Sequence, residues 1–415
     1  MLSLTFKFRL FLILSGFYCL ILPVAAQNLE LKYQYQHFNF PYRPQKLEWQ
    51  TQSEVFYQGL PLKLQAEELA QISSDKLEIR TKSVLNLAPI QEYLKTQVAP
   101  LIYQEASKNT ISLIDQKVKI EPDIKIGREL NLEISALAIA EAIQKNIKEV
   151  HLEVKEINPQ LTISPELQKK GIKEVISVGE SNFSGSSTSR IHNIHTAMNH
   201  FEGQIIPPQS EFSFNNLLGK VDGSTGYKLE LVIRGDETPM DWGGGVCQVS
   251  STIYRSVLLA GYPILERTNN SYAVNYYTPH GSDATIYPGV RDFRFKNNSD
   301  TSILIHTYTE GTRLFFVLLG SKDSRKVDIW GPYVQKKISP PATRYLPSKT
   351  LAPGEKLQIS KSHMGLLTTW YRKVNDQVEK IVSYYEPRPE VYKVGGIKEA
   401  TNEMPNLTDS TLPSS

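Results

Sequence analysis

Cysteine is nearly missing from this chain: 2 in 415 residues, Cys19 and Cys247. If Cys19 lies in a leader that is removed, Cys247 has no internal partner, which excludes a disulfide-held fold. The fold must then rest on its cores, and the remaining thiol is buried, reactive or intermolecular. Strong charge of either sign is missing too. Lys and Arg number 46 against 43 Asp and Glu, for a formal net charge of +3. No basic block is long enough for a nucleic-acid footprint. After residue 26 no apolar run reaches the roughly 20 residues of a membrane-spanning helix. There is no internal repeat and no metal-binding spacing of Cys and His.

Residues 1–26 read as a signal peptide. Lys7 and Arg9 precede the apolar run Leu10–Val24, and Val24-Ala25-Ala26 offers a small-residue cleavage site before Gln27. The expected location is the periplasm, cell envelope or extracellular space, with membrane attachment only if the segment stays uncleaved. Residues 28–60 alternate as strands, whereas Leu62–Ile72 and Ala88–Glu105 carry helical spacing, interrupted by Pro100. Residues 109–165 look like a compact α+β unit. It comprises a strand over Thr110–Lys119, a turn at Gly127–Asn131, an amphipathic helix over Ile134–Ile147 and a strand at His151–Val154.

Gly171–Gly179 opens another strand. The small polar loop Ser181–Ser189 ends on a helix cap, and the following helix, Ser189–Phe201, places Ile191, Ile194, Ala197, Met198 and Phe201 on one face. Short strands and turns continue to about residue 335, broken by a helix after Cys247 that ends at Gly261-Tyr262-Pro263. A linker at Ile338–Ala342 leads to a small β unit, and the tail from residue 397 is too poor in apolar residues to fold. The fold class is therefore α+β, multidomain. The expected divisions are 1–26, 27–108, 109–170, 171–335, 342–396 and the tail 397–415.

Gly243-Gly244-Gly245-Val246-Cys247 places the thiol at a helix start, where the dipole favours a thiolate and glycine N–H groups could receive an oxyanion. His280, with Asp283 or Asp292, is the downstream candidate for a base and its orienting carboxylate. The alternative is a small buried cysteine under a glycine turn. Ligand-binding candidates are Arg190, which could clamp a carboxylate, with Asn193, Gly243, Gly244, Gly245, Gln248 and Ser250. For Arg190 the alternative is an ordinary surface arginine. His192, His195 and His200 spread over roughly 140° of helix at about 100° per residue, so they do not converge on an ion. No metal or cofactor is expected.

The segments Gly171–Ile176, Arg190–Ile194, Phe212–Asn215, Gly226-Tyr227, Gly243–Thr252, Leu259–Gly261, Glu266-Arg267, Asp283–Thr285 and Asp292–Asn298 together resemble the VanW-like family over about residues 171–310. The glycine–cysteine–serine segment is the specific part. The resemblance implies an accessory protein of the cell envelope whose activity is undefined. Residues 109–165 are similar to the peptidoglycan-binding module that often precedes such domains, and 342–396 to the small β modules that follow them. Two departures stand out. Asn270 replaces a family histidine, and His280-Gly281-Ser282-Asp283 stands where Pro-Gly-Arg-Asp is usual. The leading expectation is binding of peptidoglycan or its stem peptides. The competing one is a cysteine-dependent acyl transferase or amidase with Cys247 as nucleophile. A third is assembly with other envelope proteins through an apolar patch.

Overall fold

The computed structural model describes residues 27–33, 36–42, 48–57, 60–61, 77–232 and 239–396. The expected leader, the helix expected over Leu62–Ile72 and the tail 397–415 lie outside them. The fold is α+β, with several small, mostly antiparallel sheets. The chain divides into two compact units: the described residues of Met1–Tyr103 with Arg128–Lys155, and Gln104–Gly127 with the described residues of Glu156–Ser415.

In the first unit, Gln27–Tyr33 pairs antiparallel with Gln36–Tyr42 and parallel with Glu149–His151. Its alternating Leu29 and Leu31 face a core shared with Phe40, Leu94, Ile102, Ala136 and Ile139. Helix α1, Leu132–Gln144, supplies the last two. Asn131 caps it, its side chain accepting from Ile134 N at 3.1 Å. Gly127–Asn131 is therefore not a turn. It is the strand Gly127–Leu130 followed by a helix cap. Around Pro100 the helix adjusts rather than stops: Ala88–Tyr93 passes through a π-turn, Leu94–Val98, into Ala99–Ile102.

The second unit is built on a four-stranded antiparallel sheet. Its strands are β1 (Glu174–Asn182), β2 (Ile205–Ile206), β3 (Ile303–Glu310) and β4 (Arg313–Gly320), in the order β1-β4-β3-β2. Both faces are covered, so β4 reads as a nearly continuous apolar run rather than an alternation. Leu314, Phe316 and Leu318 face helices α2 (Thr188–Asn199) and α3 (Val246–Ala260). Phe315, Val317 and Leu319 face Ile111, Ile124, Ile163 and Leu167.

These last residues correct the expected 109–170 unit. Its helix, α1, and the strand Glu149–His151 belong to the first unit, whereas Ile111, Ile124, Ile163 and Leu167 from its other segments cover the back of the second unit's sheet. Thr110–Lys119 is not one strand. Asp115 and Gln116 take φ of 48° and 63°, turning the chain between Lys108–Ile114 and Lys117–Glu121.

Helix α3 is the axis of this unit. Every residue from Val246 to Ala260 is buried except Cys247 and Leu259. Its polar side chains are satisfied where they lie. Ser250 Oγ donates to Ala284 O at 2.6 Å, Ser181 and Thr252 share a hydroxyl hydrogen bond of 2.7 Å, and Arg255 donates to the carbonyls of Ser282, Glu180 and Tyr277. Gly179 allows β1 to lie against the helix backbone, since a Cβ there would stand 2.2 Å from Thr252 O.

The C-terminal strands β5 (Val327–Ile338), β6 (Gly365–Val374) and β7 (Gln377–Tyr385) form a sheet in the order β5-β6-β7. The run to Ile338, expected to close the preceding domain, is thus a strand of this C-terminal sheet. The sheet shares the α3 core through Ile381, Trp370 and Ile329.

Candidate functional site

The glycine turn before α3 is built for close approach. Gly243 and Gly245 take φ of +78° and +115°, and a Cβ on Gly244 would stand 2.6 Å from Leu231 O. Gly243 O and Gly245 O accept from Val246 N and Gln248 N at 3.0 and 2.9 Å, using two donors of the helix's first turn. Asn193 fixes the turn from below. It is fully buried, donates to Lys228 O and Gly244 O at 3.0 and 3.1 Å, and accepts from Lys228 N at 2.8 Å. With its amide fully engaged, Asn193 positions the turn rather than offering a group to a ligand.

Above the turn lies a cleft of about 1250 Å³, lined by Arg190, Gly243–Gly245, Cys247 and the side chains of Trp242, Tyr272, Tyr276 and Tyr277. Glu230 and Asp241, from the hairpin Leu229–Leu231/Met240–Trp242, line it as well, and so do Ile359–His363 of the C-terminal region. Cys247 is half-buried on its floor. Its Sγ lies 3.5 Å from Thr285 Oγ1 and 3.8 Å from Ile286 O, and among the described residues no base hydrogen-bonds to it.

Arg190 stands beside it. Its Nη2 donates to Gln248 Oε1 at 3.0 Å, and its guanidinium lies 4.5 Å from the Tyr276 ring centre. Gln248 is fully buried and donates in turn to Ser181 Oγ at 3.2 Å. Gln248 and Ser250 therefore act within the protein, the first by holding Arg190, the second by tying α3 to Ala284.

The three residues expected to serve Cys247 as base and orienting carboxylate lie elsewhere. The ring of His280 packs against Tyr385 with centroids 5.6 Å apart, and its carbonyl accepts from Trp370 Nε1 at 2.8 Å. Burial lowers its pKa. Asp283 is fully buried, accepting from Arg267 Nη2 at 3.2 Å, the Tyr385 hydroxyl at 2.5 Å, and Asn270 N and Nδ2 at 2.9 and 2.6 Å. Asn270, where the family resemblance places histidine, spends its amide there. Asp292 accepts from Ser213 Oγ at 2.5 Å and Asn215 N at 2.9 Å, joining the Phe212–Asn215 and Asp292–Asn298 segments whose Phe212 and Phe295 rings stack at 4.7 Å. Neither carboxylate hydrogen-bonds to His280 among the described residues. Their neighbours instead make them joints of the fold.

The histidines of α2 are separately engaged: His192 Nε2 pairs with Gly226 O at 2.8 Å and His195 sets its ring edge-on to Phe183. Among the described residues no group of His, Cys, Asp and Glu is arranged to hold a metal ion. Sequence reading missed the contribution of Ile359–His363, which comes from more than a hundred residues beyond Cys247 and carries no local signal. The aromatic run Tyr276-Tyr277 was a visible but unused clue.

The central helix, its glycine turn and the aromatic core around them define an α+β domain, and residues 189–319 match the family model described as VanW like protein. The chain thus carries a VanW-like domain over those residues. It is 34% identical over 170 residues to the protein named uncharacterized protein YoaR of Bacillus subtilis (strain 168), covering 41% of this chain and 56% of that one. It is 28% identical over 122 residues to the Vancomycin B-type resistance protein VanW of Enterococcus faecalis (strain ATCC 700802 / V583), covering 28% and 44% respectively. The chain thus spans about half the length of these curated relatives. No solved structure matches it.

Proposed function

We propose that this is an exported protein of the cell envelope whose cleft binds peptidoglycan, through its stem peptides, in an accessory role. The observation that carries the reading is the cleft itself: a glycine floor open to close approach, aromatic walls, and a few polar groups among them. The likeness to a protein named for vancomycin resistance supports a wall-related role. The leader-like residues 1–26 support export.

Among the described residues no base hydrogen-bonds to Cys247, which favours binding over catalysis, because acyl transfer by a thiol needs a base to take up its proton. The half-exposed sulfur on the cleft floor keeps one second reading alive, a cysteine-dependent acyl transfer on wall peptides. Co-sedimentation with purified peptidoglycan, for wild type and Cys247→Ala, separates them. The binding reading expects both to sediment and neither to change the muropeptide pattern. The enzymatic reading expects a changed pattern from wild type alone, with acyl-Cys247 visible by mass spectrometry. Failure of both proteins to sediment with peptidoglycan, without a changed pattern, would overturn the binding reading.

A further inference from the structure

We propose, resting on the cleft reading above, that Arg190 is a carboxylate subsite that seats the free carboxyl end of a peptide within reach of the Cys247 thiol. Several arginines in this unit meet a carboxylate, Arg267 with Asp283, Arg313 with Glu180, Arg372 with Glu379 and Arg325 with Asp323, and the buried Arg255 is met by main-chain carbonyls. Among the described residues Arg190 has no carboxylate partner. Its partners are the Gln248 amide, the Tyr276 ring and the Tyr277 side chain, all neutral, and its Nε is buried without an acceptor. A half-buried guanidinium with no counter-charge and a donor unclaimed is a place for an anion.

Among the described residues no carboxylate meets it. Glu230 shares the cleft, but it is engaged by Ser187 Oγ and by Leu231 N. Arg190 is also held in place. Its backbone N donates to the Ser187 cap at 3.1 Å, and the buried Ser181–Gln248 pair fixes its fork. Such fixing lowers the ordering cost when a ligand arrives. A single fork suits a carboxylate. Of the two lysines that line the cleft, Lys220 is paired with Asp222 at 2.5 Å and Lys361 is exposed.

Three features place the thiol beside this fork. Gln248, which holds Arg190, follows Cys247 directly in sequence. A Cβ on Gly245 would stand 3.2 Å from Arg190 Cγ. Tyr277 lines the cleft together with Arg190 and Cys247. A carboxylate on the fork therefore puts the terminal residue of the peptide over the glycine turn and the sulfur.

Paired alkylation of the full chain tests this. Iodoacetate carries the carboxylate and iodoacetamide is its neutral analogue; in both, the thiolate displaces iodide, so thiol ionisation cancels in the ratio of their rates. With modification at Cys247 read by mass mapping, the acid-to-amide ratio should exceed that of N-acetylcysteine by about tenfold or more, the worth of one charge-assisted contact. Arg190→Gln should bring the ratio down to the reference, whatever its effect on the iodoacetamide rate alone, Arg190→Lys should keep part of it, and added salt should reduce it in wild type. A wild-type ratio equal to that of N-acetylcysteine overturns the proposal, as does a raised ratio that Arg190→Gln leaves intact. Stem peptides with free or amidated carboxyl ends, tried as protectants against iodoacetamide, separate this from the broader reading. Protection by the free acids alone supports the subsite. Equal protection by both forms overturns it and leaves the cleft reading standing. A raised ratio with protection by neither keeps the subsite and removes the wall peptide.

Discussion

At Asp283 four donors converge on one carboxylate, from Arg267, Tyr385 and the main chain and side chain of Asn270. Arg267 is itself almost out of solvent, its side chain 8% exposed. Removing the negative charge leaves a buried cation, so Asp283→Asn is expected to cost about 3–5 kcal/mol. Urea denaturation measures it, and a loss below about 1 kcal/mol would rank this pair with exposed ones. The buried tyrosines make a second residue-scale prediction. Burial pushes Tyr227 up to about 12, and raises Tyr254, Tyr277 and Tyr385 as well, with Asp283 adding to the shift at Tyr385. Above pH 10, the ordinary tyrosine value, the unfolded chain releases protons that the folded one keeps. The stabilisation is complete below pH 10 and is lost as pH rises toward the folded values. Phenolate absorbance should therefore rise cooperatively with loss of the far-ultraviolet dichroism; a gradual rise in a folded protein would contradict it. His280 works at the other end. Burial lowers its pKa from 6.5, so its contribution is present above that value and lost as pH falls through the lowered one. His280→Gln should flatten the acid limb of the stability curve.

Among elements, the glycine turn and α3 depend on backbone space that no side chain can share. Gly245→Ala places a Cβ at φ +115° and 3.1 Å from Arg190 O, with an expected cost of about 1–3 kcal/mol. Because the strain falls on the turn under Cys247, its alkylation rate should change along with stability; a stability loss alone would separate the turn from the cleft floor. Gly179→Ala should be worse, as its Cβ would stand 2.2 Å from a helix carbonyl that cannot move without α3. Helix α2 was legible because its stripe Ile194, Ala197, Met198 and Phe201 follows the helical period, and so was the end of α3, where Gly261 takes φ +74°. The body of α3 was harder to read. Ser250, Ser251, Thr252, Arg255 and Ser256 suggest a solvated face, yet all are buried: carbonyls and hydroxyls from distant loops and strands accept or share the hydrogens of the first four, and Ser256 Oγ donates to Ile253 O within the helix. The Asp115-Gln116 turn was missed because neither residue is glycine, although both take positive φ.

Over the whole second unit, the VanW-like domain and the C-terminal strands share one core and one cleft. Ile381 lies in the α3 cluster, Tyr385 donates to Asp283, Arg372 donates to Tyr262 O at 3.0 Å, and Ile359–His363 line the cleft. A chain ending near residue 341 would bare this core. It is expected to lose cooperative unfolding and to bind hydrophobic dye, as calorimetry and dye fluorescence would detect. A sharp transition close to that of the full chain would contradict a shared core and leave 342–396 an independent module.

The α+β class, the likeness to the VanW-like family and the position of Cys247 at a helix start were all read from local order along the chain: periodic stripes, glycines before a cysteine. These are short-range properties, fixed by steric and hydrophobic rules within a few residues. Tertiary structure decided what the polar residues do. It turned Asp283 and Asp292 into joints, drew His280 against Tyr385, and joined residues 359–363 to the cleft. It also left Arg190 without a counter-charge among the described residues. Whether a polar group is spent or available depends on partners that may be a hundred residues away, and packing alone sets that pairing.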